Sequence, residues 1–339
     1  MVAGSQVLVT VVVTAYNYGR FLADALSSIL RQEQHAEFEI IVINDASTDN
    51  TDQVVRSFKD DRIRYIVHEK NEGIVRSVNE GVREARGRYV ARLDADDRYR
   101  PYFLSETLAI LEARPSVGLV YGDVAAMDPE GRLLEEPWTG IRSRQVHHGT
   151  DSEGDEYLSL ISDNVIAVPT MIARREAWDR ALPIPEGFAS GLEDWYVNLR
   201  IARDYPVYYR ALTLADYRLH GLNMHANPRR DRSIEDTVFA TLDEIFSERD
   251  RPDQKRRIRR RIYSQAYLRM FDRYFGLGMD RDARRCYLHA LARRPQDAIR
   301  PGPLRRFAAT YLGHTKYERV KMLVRAISNH SARPGAERR

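Results

Sequence analysis

The sequence predicts an α/β fold, a doubly wound and mostly parallel sheet, followed by an α-helical C-terminal appendage. Three observations carry this expectation. Short β-branched runs alternate with helical apolar spacing through the first half of the chain. Acidic and aromatic residues gather just after the strand-like runs. The charge also changes sign along the chain: residues 1–228 hold 25 Lys and Arg against 35 Asp and Glu, whereas residues 229–339 hold 28 against 14. Two domains follow from this asymmetry, 1–228 and 229–339, with a linker expected near Asn227-Pro228.

Val7 to Thr14 reads as the first strand, and Phe21, Leu22, Ala25, Leu26, Ile29 and Leu30 then recur at helical spacing. Phe38 to Ile43 is the second strand, with Ser47, Thr48 and Asp49 as cap candidates for a helix through Val54, Val55 and Phe58. Ile63 to Val67 is the third strand. Val75, Val78, Val82 and Ala85 mark a helix that Gly87 stops. Tyr89 to Leu93 is the fourth strand and ends in Asp94-Ala95-Asp96-Asp97; a helix is expected from Pro101, and Val117 to Val124 is the fifth strand. Residues 129–164 read as loop, residues 184–220 as ordered again with a helix opening at Glu193-Asp194-Trp195, and the chain from Ile234 onward as Arg-rich helix. In such sheets ligands bind outside the carboxyl ends of the strands, where Tyr16, Asp45, Asp94 and Asp96 fall.

The composition, 43% hydrophobic and 30% charged over 339 residues, is that of a soluble globular protein. No run of apolar residues approaches the length of a bilayer span, and Val7 to Val13 lacks a basic leader, so neither a transmembrane helix nor a signal peptide is expected. The lone Cys286 rules out an intramolecular disulfide and fits a reducing compartment, so a cytoplasmic location is expected. A G-x-G-x-x-G after the first strand is missing, which argues against dinucleotide binding.

Asp94-Ala95-Asp96 places two carboxylates on alternate residues of an extended turn. A divalent cation held by hard oxygen ligands would neutralise a departing diphosphate there, while the other carboxylate reaches a ribose. The same residues also suit an acidic turn capping the next helix. Asp45 could accept a hydrogen bond from a pyrimidine N–H while Tyr16 stacks on the base, or it could simply belong to a strand-to-helix turn. Asp194 or Glu193 could take a proton from an attacking hydroxyl, or both could be first-turn acids of a helix. His220 is a metal ligand or a polar loop residue.

The order of these pieces resembles the family 2 glycosyltransferases with the GT-A fold. The resemblance rests on Val9 to Asn17, Ile40 to Asp49, Asn71-Glu72-Gly73, Asn79-Glu80-Gly81, Gly87 to Asp97, Glu193-Asp194-Trp195 and Tyr217-Arg218-Leu219-His220, and covers residues 7–225. It implies an inverting transfer from a nucleotide-diphosphate sugar, UDP or dTDP in type, to a carbohydrate or lipid-linked acceptor in bacterial surface polysaccharide or glycoconjugate synthesis. Thr14, Ala15, Tyr16, Asp45, Asn71, Arg76, Asp94 and Ala95 would bind the nucleotide. Asp96 would bind Mn²⁺ or Mg²⁺, with His220 completing the metal shell or binding the diphosphate, and Asp194 would be the catalytic base. Glu193 would orient that base or contact the acceptor, and Trp195 would wall the acceptor pocket. The chain departs from many relatives at Val78, where they carry a basic residue; Arg76 lies about 200° away around a helix.

Other readings use the same residues. An aspartyl phosphohydrolase would use Asp94 as nucleophile, but there the motif follows the first strand, not the fourth. A nucleotide-sugar pyrophosphorylase would open with a Gly-rich loop where this chain has Tyr16-Asn17-Tyr18-Gly19. A binding protein without turnover would keep the same acidic positions. The basic C-terminal region, with Lys255 to Arg261, suits an anionic membrane surface, a solvated helical face or a homo-oligomer contact; no nucleic-acid recognition motif accompanies it.

Overall fold

Val9–Ala15, β-branched or small and apolar throughout, forms β1, a strand buried at every position. In this computed structural model the described residues are 8–33, 37–135, 143–221, 223, 230–312 and 317. The chain divides into two compact units, residues 1–228 and 229–339. Asn227-Pro228 lies outside the described residues, as does Val7.

In the first unit β1 is followed by α1 (Gly19–Leu30), β2 (Phe38–Asn44), α2 (Thr51–Ser57), β3 (Ile63–Val67), α3 (Ile74–Glu84) and β4 (Tyr89–Asp94). Helix α1 forms because Phe21, Leu22, Ala25, Leu26 and Ile29 fall on one face, which is buried. Strand β1 pairs in parallel with β2 on one side and β4 on the other, and β2 pairs in parallel with β3. The order β3-β2-β1-β4 means that successive crossovers leave β1 in opposite directions, which opens a crevice at the carboxyl ends of β1 and β4. There Thr14 is the register partner of Asp94, and Ala15 that of Asn44.

The chain continues through β5 (Arg98–Tyr99), α4 (Phe103–Ala113), β6 (Leu119–Met127), α5 (Ser143–Val146), β7 (Ser152–Gly154), α6 (Tyr157–Ser162), β8 (Ile172–Arg174), α7 (Arg175–Ala181), α8 (Glu193–Asp204) and β9 (Val207–Arg218). The sheet extends from β4 in the order β8-β6-β9-β5, with β7 also on β9. The six longer strands run one way and the short β5, β7 and β8 run against them, so the sheet is mixed but mostly parallel.

Two expectations need correction here. Strand β8 stands between the fourth strand and the next long one, and three residues are too few to show periodicity, although Ile172 and Ala173 are fully buried. The segment 129–164 is not all loop, because α5, β7 and α6 lie within it. Long-range contacts, not local pattern, hold it: Tyr157, Leu160 and Ile161 are buried, and His147 Nε2 lies 2.6 Å from the Tyr121 hydroxyl.

The second unit comprises α9 (Ser233–Ser247), α10 (Pro252–Gly276), α11 (Asp280–Arg293), α12 (Pro295–Ala298) and α13 (Pro301–Ala309). Phe271, Tyr274, Phe275, Cys286 and Tyr287 form its core. Lys255 is no part of a basic surface: it is buried, and its ammonium donates to the Ile245 carbonyl at 2.6 Å and to Asp250 at 2.6 Å. No helix among the described residues is long and apolar enough to cross a membrane.

Candidate active site

The end of β1 is built into both neighbouring strands. Thr14 Oγ1 donates to Asp94 Oδ1 at 3.2 Å, and the Ala15 carbonyl accepts from the Asp45 amide at 2.9 Å. Beyond them Asn17 and Ala46 both adopt left-handed backbone, each at φ 57°. The Asn17 side chain accepts from the Thr48 amide at 2.8 Å, and Ser47 Oγ accepts from the Asn17 amide at 3.0 Å. These cross-links pin two loops together beside Tyr16, which is 46% exposed.

Asp45 is 4% exposed and held on three sides. Its Oδ1 accepts from the Glu72 amide at 2.8 Å and lies 2.7 Å from His68 Nδ1, and its Oδ2 accepts from the Gly73 amide at 2.8 Å. Gly73 sits at φ 88°, a conformation that side-chain-bearing residues rarely adopt, and that turn aims its N–H at the carboxylate. Counting two lone pairs per oxygen, Oδ2 keeps room for one further donor. Asn71 is exposed on the same loop. Arg76 is half exposed and pairs with Glu72 at 3.2 Å and Glu80 at 3.9 Å, so its charge is already shared between two surface carboxylates.

After β4 the chain places Asp94, Asp96 and Asp97 in one turn, with Ala95 buried and its amide donating to the Thr14 carbonyl at 3.2 Å. Asp96 Oδ2 lies 2.9 Å from His220 Nε2 and accepts from Asn223 Nδ2 at 3.4 Å. Burial raises the Asp96 carboxyl above its ordinary range; the His220 contact opposes this and the nearby Asp94 charge adds to it. Asp97 is pushed well up by burial and then by Asp96 and Asp94. Its Oδ1 accepts from the Arg218 amide at 2.9 Å, while its Oδ2 is buried without a hydrogen-bond partner. Arg218 Nε donates to the Asp96 carbonyl at 2.7 Å, which fixes the turn from behind.

A divalent cation bound here would relieve the crowding of three carboxylates and the buried oxygen that has no hydrogen-bond partner. Asp96 and His220 offer a hard oxygen and an imidazole nitrogen side by side, a donor set that fits Mn²⁺ or Mg²⁺. Among the described residues no third Asp, Glu, His or Cys joins them as a preformed protein cage.

Asp194 stands half-buried at the start of α8. Oδ2 accepts from Asn164 Nδ2 at 2.9 Å and Oδ1 accepts from the Trp195 amide at 2.7 Å. Its pKa is raised to about 7, by burial first and then by the Glu193 charge, with Arg92 opposing. Glu193 faces inward at 3% exposure, where Oε1 accepts from Arg92 Nη2 at 3.1 Å and Oε2 from the Gly191 amide at 2.7 Å. That geometry orients α8 and leaves no surface for an acceptor. Trp195 also departs from expectation. It is 6% exposed with its indole N–H donated to the Leu160 carbonyl at 2.8 Å, so it is a core residue beneath the site, not an exposed pocket wall.

Sequence reasoning missed Arg92, whose Nη2 also reaches Asp94 Oδ1 at 3.0 Å. The signal was there: an arginine inside an otherwise apolar strand must have a buried partner. His68, Asn164 and Asn223 were also missed, and nothing local distinguishes them from ordinary turn residues.

Residues 10–175 match the sequence pattern described as Glycosyl transferase family 2. An uncharacterized glycosyltransferase of Rickettsia bellii is 31% identical over 54% of this chain, which spans only 25% of that relative's length. The putative teichuronic acid biosynthesis glycosyltransferase TuaG of Bacillus subtilis is 26% identical over 65% of this chain and 82% of its own. Among solved structures, S. aureus TarS 1–349 in complex with UDP-GlcNAc superimposes with a TM-score of 0.64 at 16% identity, covering 92% of each chain. At that identity the likeness shows a shared fold.

Proposed function

We propose that this chain, whose residues 10–175 carry a glycosyl transferase family 2 domain, is an inverting, metal-dependent glycosyltransferase using a nucleotide-diphosphate sugar. The observation that carries the reading is Arg92. By binding Asp94 and Glu193 through one guanidinium nitrogen, it sets the base-bearing start of α8 beside the strand end that would hold the donor.

In this reading Tyr16 stacks on the base, and the remaining acceptor capacity of Asp45 Oδ2 takes the N–H of a uracil or thymine. Asp94 receives the ribose. Asp96 and His220 would hold Mn²⁺ or Mg²⁺, which when bound supplies charge neutralisation for the departing diphosphate. Asp194 accepts the acceptor's hydroxyl proton as that oxygen bonds to the anomeric carbon. The bond from the anomeric carbon to the diphosphate oxygen breaks on the opposite face, and its electron pair leaves with the nucleoside diphosphate. One displacement inverts the centre. A pKa of about 7 gives Asp194 a useful unprotonated fraction at neutral pH while keeping it more basic than an ordinary carboxylate.

The UDP-GlcNAc complex of TarS supports a UDP-sugar donor, and the name of TuaG supports an acceptor belonging to a polysaccharide or glycoconjugate. The test is release of nucleoside diphosphate from UDP-, dTDP- and GDP-sugars, with Mn²⁺ and with chelator. Metal-dependent release from one donor supports the reading. No release, together with no binding of UDP in the presence of Mn²⁺, would overturn it, and binding without turnover across candidate acceptors would favour a binding protein.

A further inference from the structure

A cavity of about 530 Å³ in the second unit is lined by Arg257, Arg260, Arg261, Arg293 and Arg294. None of the residues placed in the donor or base region contributes to it. Arg257, Arg260 and Arg261 follow i, i+3, i+4 spacing on α10, so Arg257 neighbours the other two on one side of the helix, with Cβ atoms about 5–6 Å apart. The stretch from Lys255 to Arg261 contains no acid, and among the described residues no ion pair to Arg257, Arg260 or Arg261 is found, whereas Lys255 is paired with Glu248 and Asp250.

The other wall is prearranged. Arg293 lies over the Tyr267 ring at 4.5 Å and the Tyr263 ring at 5.6 Å, and its Nη1 donates to the His289 carbonyl at 3.3 Å, so its position is fixed. Arg294 is only loosely balanced by Asp297 at 3.7 Å, a carboxylate that also faces Arg300 at 3.7 Å. Like charges gathered in a concavity repel one another and focus the field inside it, and both effects are relieved by a polyvalent anion. Guanidinium forks match phosphate oxygens in pairs. One phosphate carries at most about two charges, fewer than five guanidiniums can neutralise.

We infer that this cavity binds an anion bearing two or more phosphate groups. That chemistry is supplied by a soluble polyphosphorylated molecule or by phospholipid headgroups at a bilayer surface, and the experiment separates the two.

Inorganic tripolyphosphate is titrated into the full chain by calorimetry, at low salt and with chelator present. The expected result is one salt-sensitive site, weakened about tenfold or more in R257Q/R260Q/R261Q. The triple lysine replacement should fall between wild type and the glutamine variant, because charge remains while the paired fork is lost. UDP binding with Mn²⁺ should be unchanged in all of them, which separates this cavity from the donor site and reports correct folding. Vesicles of phosphatidylglycerol and of phosphatidylcholine form the second arm. Loss of sedimentation with the former in the glutamine variant, alongside loss of tripolyphosphate binding, assigns headgroups; loss of tripolyphosphate binding alone assigns a soluble anion. Absence of tripolyphosphate binding by wild type overturns the proposal. So does an equal loss in R256Q/R281Q/R305Q, which removes the same charge outside the cavity.

Discussion

His220 Nε2 and Asp96 Oδ2 lie 2.9 Å apart, although 124 residues separate them in the chain. The contact joins the turn after β4 to the segment leaving β9, and Asn223 steadies it by donating to Asp96 Oδ2 and, at 2.9 Å, to the Arg218 carbonyl. Neither residue alone would hold a divalent ion firmly; in the proposed reading they would do so together with substrate oxygens and water.

Asp96→Asn should therefore abolish most transfer, on the order of 10²-fold or more, by removing the charged ligand. His220→Gln should cost about 10–100-fold and raise the Mn²⁺ concentration needed for half-maximal rate. Donor turnover measured across a Mn²⁺ titration checks both. Unchanged metal requirement in Asp96→Asn would remove the assignment.

Asp194 sets the expected pH dependence. Its folded pKa is raised to about 7, so it is protonated and unable to accept a proton below that value. The rate under saturating donor should rise with pH, about tenfold per unit below pH 7, and level off above it. Asp194→Asn should lose about 10²–10⁴ in kcat, lose this limb, and keep its affinity for UDP. A wild-type profile flat over about 2–3 pH units around that pKa would point to a different base.

Arg92 ties the two halves of the site, and its removal should be felt as instability as well as lost rate. Arg92→Met strands Glu193, which is 3% exposed, without its counter-charge. Breaking a buried pair from one side costs about 3–5 kcal/mol. The melting temperature should fall by roughly 10 °C. Adding Glu193→Gln to Arg92→Met should recover part of that loss, since the unpaired charge is then gone. Thermal melts of the four proteins of this cycle provide the check.

Much of this was legible because strand ends and strand sequence are adjacent. Thr14, Asp45 and Asp94 each follow an apolar run, so a parallel sheet brings them together whatever the loops do. The partners that tune them were not legible. His68, Asn164 and Asn223 are single polar residues in turns, and only three-dimensional packing tells them from solvated ones. Trp195 misled for a related reason: its place beside two acids marks the start of α8, but helical rotation turns it inward to Leu160. Strand β8 was missed because burial, not local pattern, recruits three residues into the sheet.

The support beneath Asp45 gives the last prediction. His68 Nδ1 lies 2.7 Å from Asp45 Oδ1 and its Nε2 lies 3.0 Å from Glu80 Oε2, with the ring almost wholly enclosed. The imidazole thus fixes one carboxylate oxygen while Gly73 holds the other. Asp45→Asn removes a charged acceptor from the base and should weaken UDP binding by roughly 10–100-fold, the range expected for a hydrogen bond to a charged group. His68→Gln keeps a donor but breaks the link to Glu80, so Asp45 loses orientation and not charge; the expected weakening is smaller, about three- to tenfold. In the double variant the His68 effect should largely vanish, because it acts only through Asp45. Calorimetric affinities for UDP across the four proteins decide it. Fully additive losses would mean that His68 supports the loop in general and not the base-binding carboxylate.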